Sequence, residues 1–323
     1  MLKACVTIDD SKKTFLSKDA IMLEAGEKDS EKIAEKQVED LIRQRWKTYN
    51  QQWMGEEKFE ALVQSKVNSD LLQHRHLSYL ESNIGNLSDK VILDMGCGEG
   101  GFLVAVKKMG LKAVGTDLSK TALDIAHLQM SCRPNLGNPS ILTQSEGHHV
   151  PFADNTFDLI TSIDTLEHIP DLEGFLKEMS RILKKGGYFY ANTPNRHWPY
   201  ETHCRMFFLH WVPLRFRPFL VKTFFPKRIK KIERMNYLEA LNLLTPKEVD
   251  VLSVTHFGRI DDLAEVLLNR YRNDQRKQVH KTSGSKKLMI TTFLAFSRIP
   301  GISSALKAIV RRYSPEIILL AQK

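Results

Sequence analysis

Asp94, Gly96, Gly98 and Gly100 alternate directly after the apolar run 91–93, and Asp117 follows at the end of a second short apolar segment, 113–116. Glycines at such a strand end allow a tight turn and a close approach of backbone to ligand where a Cβ would collide. The helix that must follow, over 102–109, presents its N-terminal N–H groups to an anionic or polar ligand. An acidic residue about 20 residues beyond the glycines is placed to accept hydrogen bonds from ribose hydroxyls. The chemistry implied is retention of a nucleoside-bearing cofactor on backbone amides, with Asp117 on the ribose. His168 is the best single candidate for a general base, since its ordinary pKa lies near neutrality; a helix-starting role is the competing reading. Asp164, Glu167 and His168 are spaced i, i+3 and i+4, so one helix face would offer three oxygen or nitrogen ligands. A divalent metal is therefore kept as a second option behind a metal-free site. His197, His203 and His210 lie in an aromatic stretch that reads as an acceptor pocket with polar anchors, or as a packed lid.

These residues need a scaffold, and the order of segments supplies one. The strand–turn–helix over 91–109 and the second strand come first, and the turn Ser145-Glu146-Gly147-His148-His149-Val150-Pro151-Phe152 comes next. Asn155-Thr156-Phe157-Asp158-Leu159-Ile160 reads as a fourth strand and Leu166-Glu167-His168-Ile169 as the helix after it. A further helix over 178–183, the turn Lys184-Lys185-Gly186-Gly187 and a fifth strand over 188–191 complete the series. Asp-x-Gly-x-Gly-x-Gly with these ordered partners resembles the class I S-adenosylmethionine-dependent methyltransferases, over roughly residues 75–195. The resemblance implies S-adenosylmethionine as cofactor and binding by Asp94, Gly96, Cys97, Gly98, Gly100, Asp117, Leu118, Glu146, Gly147 and Ser162. Glu146 stands where that family usually has Asp for the adenine amino group. His76-Leu77-Ser78-Tyr79-Leu80 resembles a stretch of the ubiquinone-pathway O-methyltransferases whose basic residue meets the cofactor carboxylate, which would give that place to His76 or Arg75. Those enzymes show Glu-x-x-Glu-His where this chain has Asp164-x-x-Glu167-His168, and they are metal-dependent.

The expected fold is α/β, a Rossmann-like seven-stranded sheet, mostly parallel with an antiparallel last strand and helices on both faces. Residues 1–30 are expected to be a disordered N-terminus, 31–80 a helical cap, 81–196 the cofactor-binding core, and 197–323 acceptor-side insertions with the last strands. The sixth strand is expected at 253–260 and the seventh at 315–321. Four cysteines without paired spacing indicate neither a disulfide framework nor a zinc site, and point to a reducing compartment. No signal-peptide pattern opens the chain, and no stretch reaches the roughly 18–20 apolar residues of a spanning helix, so a cytoplasmic protein, free or peripheral at a membrane, is expected.

Charge is unevenly spread. Residues 205–235 hold nine Lys/Arg and one acidic residue, residues 270–312 eleven and one, so a chain of net +9 carries −9 elsewhere. In 206–221 and 288–310 the cations interleave with Phe, Trp, Leu and Ile, a pattern that suits an anionic membrane surface. Nucleic acid ranks below that, because Ser162-Ile163-Asp164-Thr165 replaces the Asn/Asp-Pro-Pro-aromatic motif after the fourth strand and no Pro-Cys pair occurs. Methyl transfer to a small-molecule or lipid-like acceptor, first at oxygen, is the expected function. The alternatives are C-methylation of a quinone or lipid, a nucleic-acid or protein methyltransferase, and a non-catalytic cofactor-binding protein.

Overall fold

The structure, a computed structural model, describes residues 6–7, 14–15, 27–50, 55–131, 141–201, 206–224, 244–257, 259–260, 291–292, 295 and 298–323. Most of the expected N-terminal disorder at 1–30 and about half of the acceptor-side insertions expected after 197 lie outside these residues, as does His203.

The main sheet has seven strands: β1 (Ile92–Met95), β2 (Ala113–Asp117), β3 (Ile141–Gln144), β4 (Phe157–Ile163), β5 (Leu183–Pro194), β6 (Arg259–Ile260) and β7 (Glu316–Gln322). Their order is β6-β7-β5-β4-β1-β2-β3. Six strands have four residues or more, and β6 is a two-residue edge. β7 runs antiparallel between β5 and β6, while β1 to β5 pair in parallel. The winding reverses between β1 and β4, so a crevice opens beyond their carboxyl ends, where such sheets bind ligands.

Strand burial explains why both faces are covered. β1 is buried at all four positions, which a strand with only one covered face could not be. Leu159, Tyr190 and Leu320 pack on one face with Leu77 and Leu80 of α3 (Ser69–Ile84) and with Leu103 and Val106 of α4 (Gly101–Lys108). Ile160, Phe189 and Leu319 pack on the other with Phe175 and Met179 of α6 (Leu172–Ile182) and Phe257 of α8 (Pro246–Phe257). Two further helices, α1 (Glu27–Asn50) and α2 (Glu56–Val67), join Ile125 of α5 (Lys120–Ser131) through Val38, Ile42, Phe59 and Val63. Two further helices among the described residues are α7 (Arg217–Phe224) and α9 (Pro300–Tyr313).

Three local expectations are corrected. The sixth strand does not begin at Ser253, because α8 continues to Phe257. Thr245 and Glu248 cap that helix reciprocally, with Thr245 N–H donating to Glu248 Oε2 (2.7 Å) and Glu248 N–H to Thr245 Oγ1 (3.3 Å). Val249, Ser253 and Phe257 then form one buried face, and the Phe257 ring stacks on Phe189 at 4.8 Å. Lys184–Gly187 is not a turn between elements but the start of β5. Gly186 takes a left-handed φ of +77°, and Lys323 pairs across it through Gly186 N–H and Gly187 O. Finally, Asp164, Glu167 and His168 do not share a helix face. Asp164 sits at a left-handed φ of +51° ahead of a single 3-10 turn, Leu166–His168.

Candidate functional site

The glycine loop is built as the spacing predicted. Gly96, Gly98 and Gly100 all have positive φ. At Gly96 an added Cβ would strike Thr165, and at Gly100 it would strike Ala126 of α5. A Cβ on Gly98 would meet nothing within 4 Å, so the backbone there borders open space.

Asp117 ends β2 beside that space. Its Oδ2 accepts from Gly98 N–H (2.9 Å) and its Oδ1 from Ser119 N–H (2.7 Å). A carboxylate with two oxygens has about four acceptor directions, so capacity is left for a diol. Leu118, the next residue, is 64% exposed, an apolar surface beside the carboxylate. Asp94 is buried and accepts from Thr161 Oγ1 at 2.8 Å; burial pushes its pKa up to about 7, against that hydrogen bond and with some help from Asp117. Cys97 is a buried thiol whose pKa burial raises well above its ordinary value, so it packs rather than reacts. Gly147 lies under the Phe175 ring, and Glu146 is exposed at the turn it closes with His149. Ser162 is fully buried on β4 with an unpartnered hydroxyl. The open face of Gly98, the spare acceptors of Asp117 and the exposed Leu118 fit a nucleoside such as that of S-adenosylmethionine, with Asp117 and Gly98 holding it.

The structure adds groups that the sequence did not single out. The carboxyl end of α1 clasps the glycine loop: Trp46 Nε1–H donates to Glu99 Oε1 (2.8 Å), Arg45 Nε lies 3.2 Å from the same oxygen, and Arg45 also donates to Ser119 Oγ (3.1 Å). Arg45 thereby bridges the two loops that flank Asp117. Trp46 follows the helical apolar spacing of the 31–80 cap, but nothing in that spacing names Glu99 as its partner or singles out Arg45.

His76 is not a surface cation awaiting a carboxylate. It is buried, with Nδ1 2.5 Å from the Tyr190 hydroxyl and Nε2 accepting from Arg75 Nε (3.1 Å). Because Nε2 accepts, Nδ1 carries the proton and Tyr190 oxygen accepts it. Arg75 itself lies 3.6 Å from Glu316 on β7.

At the carboxyl ends of β4 and β5, buried Asn192 holds Asp164 in its unusual backbone conformation. Asp164 N–H donates to Asn192 Oδ1 (3.0 Å), and Asn192 Nδ2–H donates to Asp164 Oδ1 (2.9 Å). Loss of hydration, with the nearby Glu316 carboxylate, raises the Asp164 pKa. The next residue, Thr165, touches Gly96, so this carboxylate lies one residue from the cofactor loop. His168 follows on the 3-10 turn, its side chain 47% exposed and 3.9 Å from Glu167, whose buried carboxylate accepts from Thr193 Oγ1 (3.2 Å). His197 is half-buried beside Tyr313, ring centroids 6.3 Å apart. Among the described residues no group of three or more His, Cys, Asp or Glu could hold a metal ion. A cleft of about 520 Å³ between α1 and α2 is lined by Glu39, Asp40, Arg43 and Gln129, and Gln129 Nε2–H donates to the Glu99 carbonyl of the glycine loop (2.9 Å).

Residues 93–191 match a family described as a methyltransferase domain. A ubiquinone biosynthesis O-methyltransferase of Nitrosomonas europaea is 31% identical over 121 residues, 37% of this chain and 50% of that protein. Sterol 24-C-methyltransferase erg6 of Schizosaccharomyces pombe is 32% identical over 133 residues, 41% of this chain and 33% of that protein. The chain thus spans about half the length of the first curated relatives it matches. Among solved structures, phosphoethanolamine N-methyltransferase 2 of Haemonchus contortus with S-adenosyl-L-methionine is 19% identical, with a TM-score of 0.46 over 77% of this chain and 52% of that one.

Proposed function

We propose, from the methyltransferase-domain match over residues 93–191, that this chain is a class I S-adenosylmethionine-dependent methyltransferase that transfers a methyl group to a small-molecule or lipid-like acceptor. The observation that carries the reading is Asp117, a carboxylate held open beside the uncovered face of Gly98. Bound S-adenosylmethionine would supply an electrophilic methyl for in-line displacement. Asp117 and the Gly98 backbone would hold the nucleoside, Leu118 would cover the base, and Arg45 and Trp46 would keep α1 closed over the loop. Closure of that kind aligns reactants and excludes water.

The acceptor proton needs a base, and His168 is the proposed one: it is exposed beyond β4 and backed by the buried Glu167. Asp164 is the second reading, favoured by its clamp on Asn192 and its raised pKa. Oxygen is the preferred acceptor atom, and similarity to a sterol C-methyltransferase over 133 residues keeps carbon as the alternative. Cytoplasmic location with access to membrane surfaces belongs to the same proposal.

Losing a hydrogen-bonded charged acceptor costs about 1.5–3 kcal/mol. Asp117→Ala should therefore weaken S-adenosylmethionine binding by roughly tenfold or more in calorimetry, while the chain still melts cooperatively at a midpoint lowered by loss of the Gly98 and Ser119 hydrogen bonds. Unchanged binding would remove the cofactor assignment. Comparing small molecules from cells with and without the gene, by mass spectrometry, should reveal an acceptor whose mass differs by one methylene.

A further inference from the structure

Residues 206–224 are packed inside out. Their buried core is three aliphatic side chains, Met206, Leu209 and Val221. Their large aromatics face solvent instead: Phe207, Phe208, Trp211, Phe216 and Phe219, from 49% exposed at Phe216 to 71% at Phe219. Three of the rings form a continuous patch, with Phe207 and Phe208 centroids 6.0 Å apart and Phe208 and Trp211 4.9 Å apart, and Phe216 and Phe219 follow within the same segment. Single exposed apolar side chains are ordinary, but a contiguous cluster of large ones marks an interaction surface.

A second element continues the surface. Helix α9 and the turn before it carry Ile299, Ile302, Leu306, Ile309 and Tyr313, spaced three and four apart on one stripe, and Ile299, Ile302, Ile309 and Tyr313 are exposed. Its carboxyl end is tied to the aromatic patch through residues 195–197. Asn195 Nδ2–H donates to the Arg312 carbonyl (3.0 Å), the His197 ring lies against Tyr313, and Trp211 Nε1–H donates to the Arg196 carbonyl (3.0 Å).

The charge of the surface has one sign. Neither 206–224 nor 298–313 contains an Asp or Glu. Exposed Arg215 stands over the Phe216 ring at 4.8 Å and Arg312 over Tyr313 at 5.5 Å, so cations and rings share the same outward positions. A protein partner would have to desolvate these cations while covering the rings. An anionic bilayer accommodates both, taking rings at the headgroup boundary and cations against phosphates.

We propose that the exposed aromatics of residues 207–219 and the apolar stripe of helix α9 form one docking surface for an anionic phospholipid bilayer. This deepens the lipid-like-acceptor reading by naming where such an acceptor would be met, but the surface does not depend on methyl transfer.

The test is sedimentation of the full chain with phosphatidylserine–phosphatidylcholine vesicles, with Phe219→Glu, Ile309→Glu and Arg215→Glu as variants. All three sites are exposed, and melting temperature and S-adenosylmethionine calorimetry report on the fold and the cofactor site separately. Wild type should pellet with the mixed vesicles at low salt, be released as salt rises, and bind pure phosphatidylcholine far more weakly. One interfacial cation contributes about fivefold in affinity, so reversing Arg215 should weaken binding by more than that; Phe219→Glu and Ile309→Glu should each cost roughly tenfold. The proposal is overturned if wild type stays in the supernatant at low salt, if it binds both vesicle types equally, or if the variants bind as wild type does. It is equally overturned if the variants instead abolish a dimer or RNA binding that the wild type shows without binding vesicles. Vesicle binding without cofactor binding would sink the methyl-transfer reading and leave the docking surface standing.

Discussion

Asp94 and Asp117 show how one residue type takes two roles from its surroundings. Asp94 is enclosed beneath α3 and α4, and burial outweighs the Thr161 hydrogen bond to give a pKa of about 7. Below about pH 4 the carboxyl is protonated in both the folded and the unfolded chain. Between there and about 7 the unfolded chain ionises while the folded one holds its proton, so stability falls as pH rises, and above 7 the cost is constant. The ligand-free protein should therefore lose melting temperature across that window, and Asp94→Asn should flatten the slope; a variant with the parental slope would place the titration elsewhere. For the base, His168→Ala should lower turnover by roughly a hundredfold with cofactor affinity intact, and Asp164→Asn by only a few fold. Rates read beside calorimetry would show the reverse order if Asp164 takes the proton. Loss of wild-type activity in EDTA with rescue by Mg²⁺ would favour the metal option instead.

At the scale of elements, the N-terminal helices are more than a cover. α1 reaches the cofactor loop through one carboxylate, Glu99, largely enclosed between Trp46 and Arg45. Glu99→Gln keeps a hydrogen-bond acceptor but removes the charge that Arg45 faces. We expect faster hydrogen exchange at the carboxyl end of α1 and an S-adenosylmethionine affinity several-fold lower, since exclusion of water over the loop depends on that clasp. Exchange at the wild-type rate would show that packing on α2 and Ile125, with the Arg45–Ser119 hydrogen bond, holds α1 without the Glu99 charge. α8 teaches a related lesson: its Thr245–Glu248 cap is a local device, but its length is set by Phe257 packing on Phe189.

Over the whole molecule, the sheet is completed by residues far apart in the chain. β7 inserts between β5 and β6 with Leu319, Leu320 and Ala321 buried, so its partner strand β5 lies more than a hundred residues earlier in the chain. Such non-local pairing forms late in folding because loop closure must precede its reward. In sequence, both basic segments fall within this interval, which is how a chain of net +9 keeps a net-negative remainder around its cofactor-binding residues.

The strand–glycine–helix series, the two aspartates and the parallel order of β1 to β5 were readable from sequence, because each rests on local chemistry: glycine's freedom at positive φ, buried apolar runs, and a fixed spacing from loop to carboxylate. Tertiary structure decided what local spacing could not. An i, i+3, i+4 pattern promised a shared helix face at Asp164, Glu167 and His168, yet Asn192 from the neighbouring strand holds Asp164 out of any helix. His76 has the composition of a helix-surface cation, but Tyr190, more than a hundred residues away, draws it into the core. Arg75, Glu316 and Asn192 converge only because β7 is inserted beside β5. Sequence sets which side chains can hydrogen-bond or ionise; only the fold sets which of them share a partner, and so which are charged, clamped or free to act.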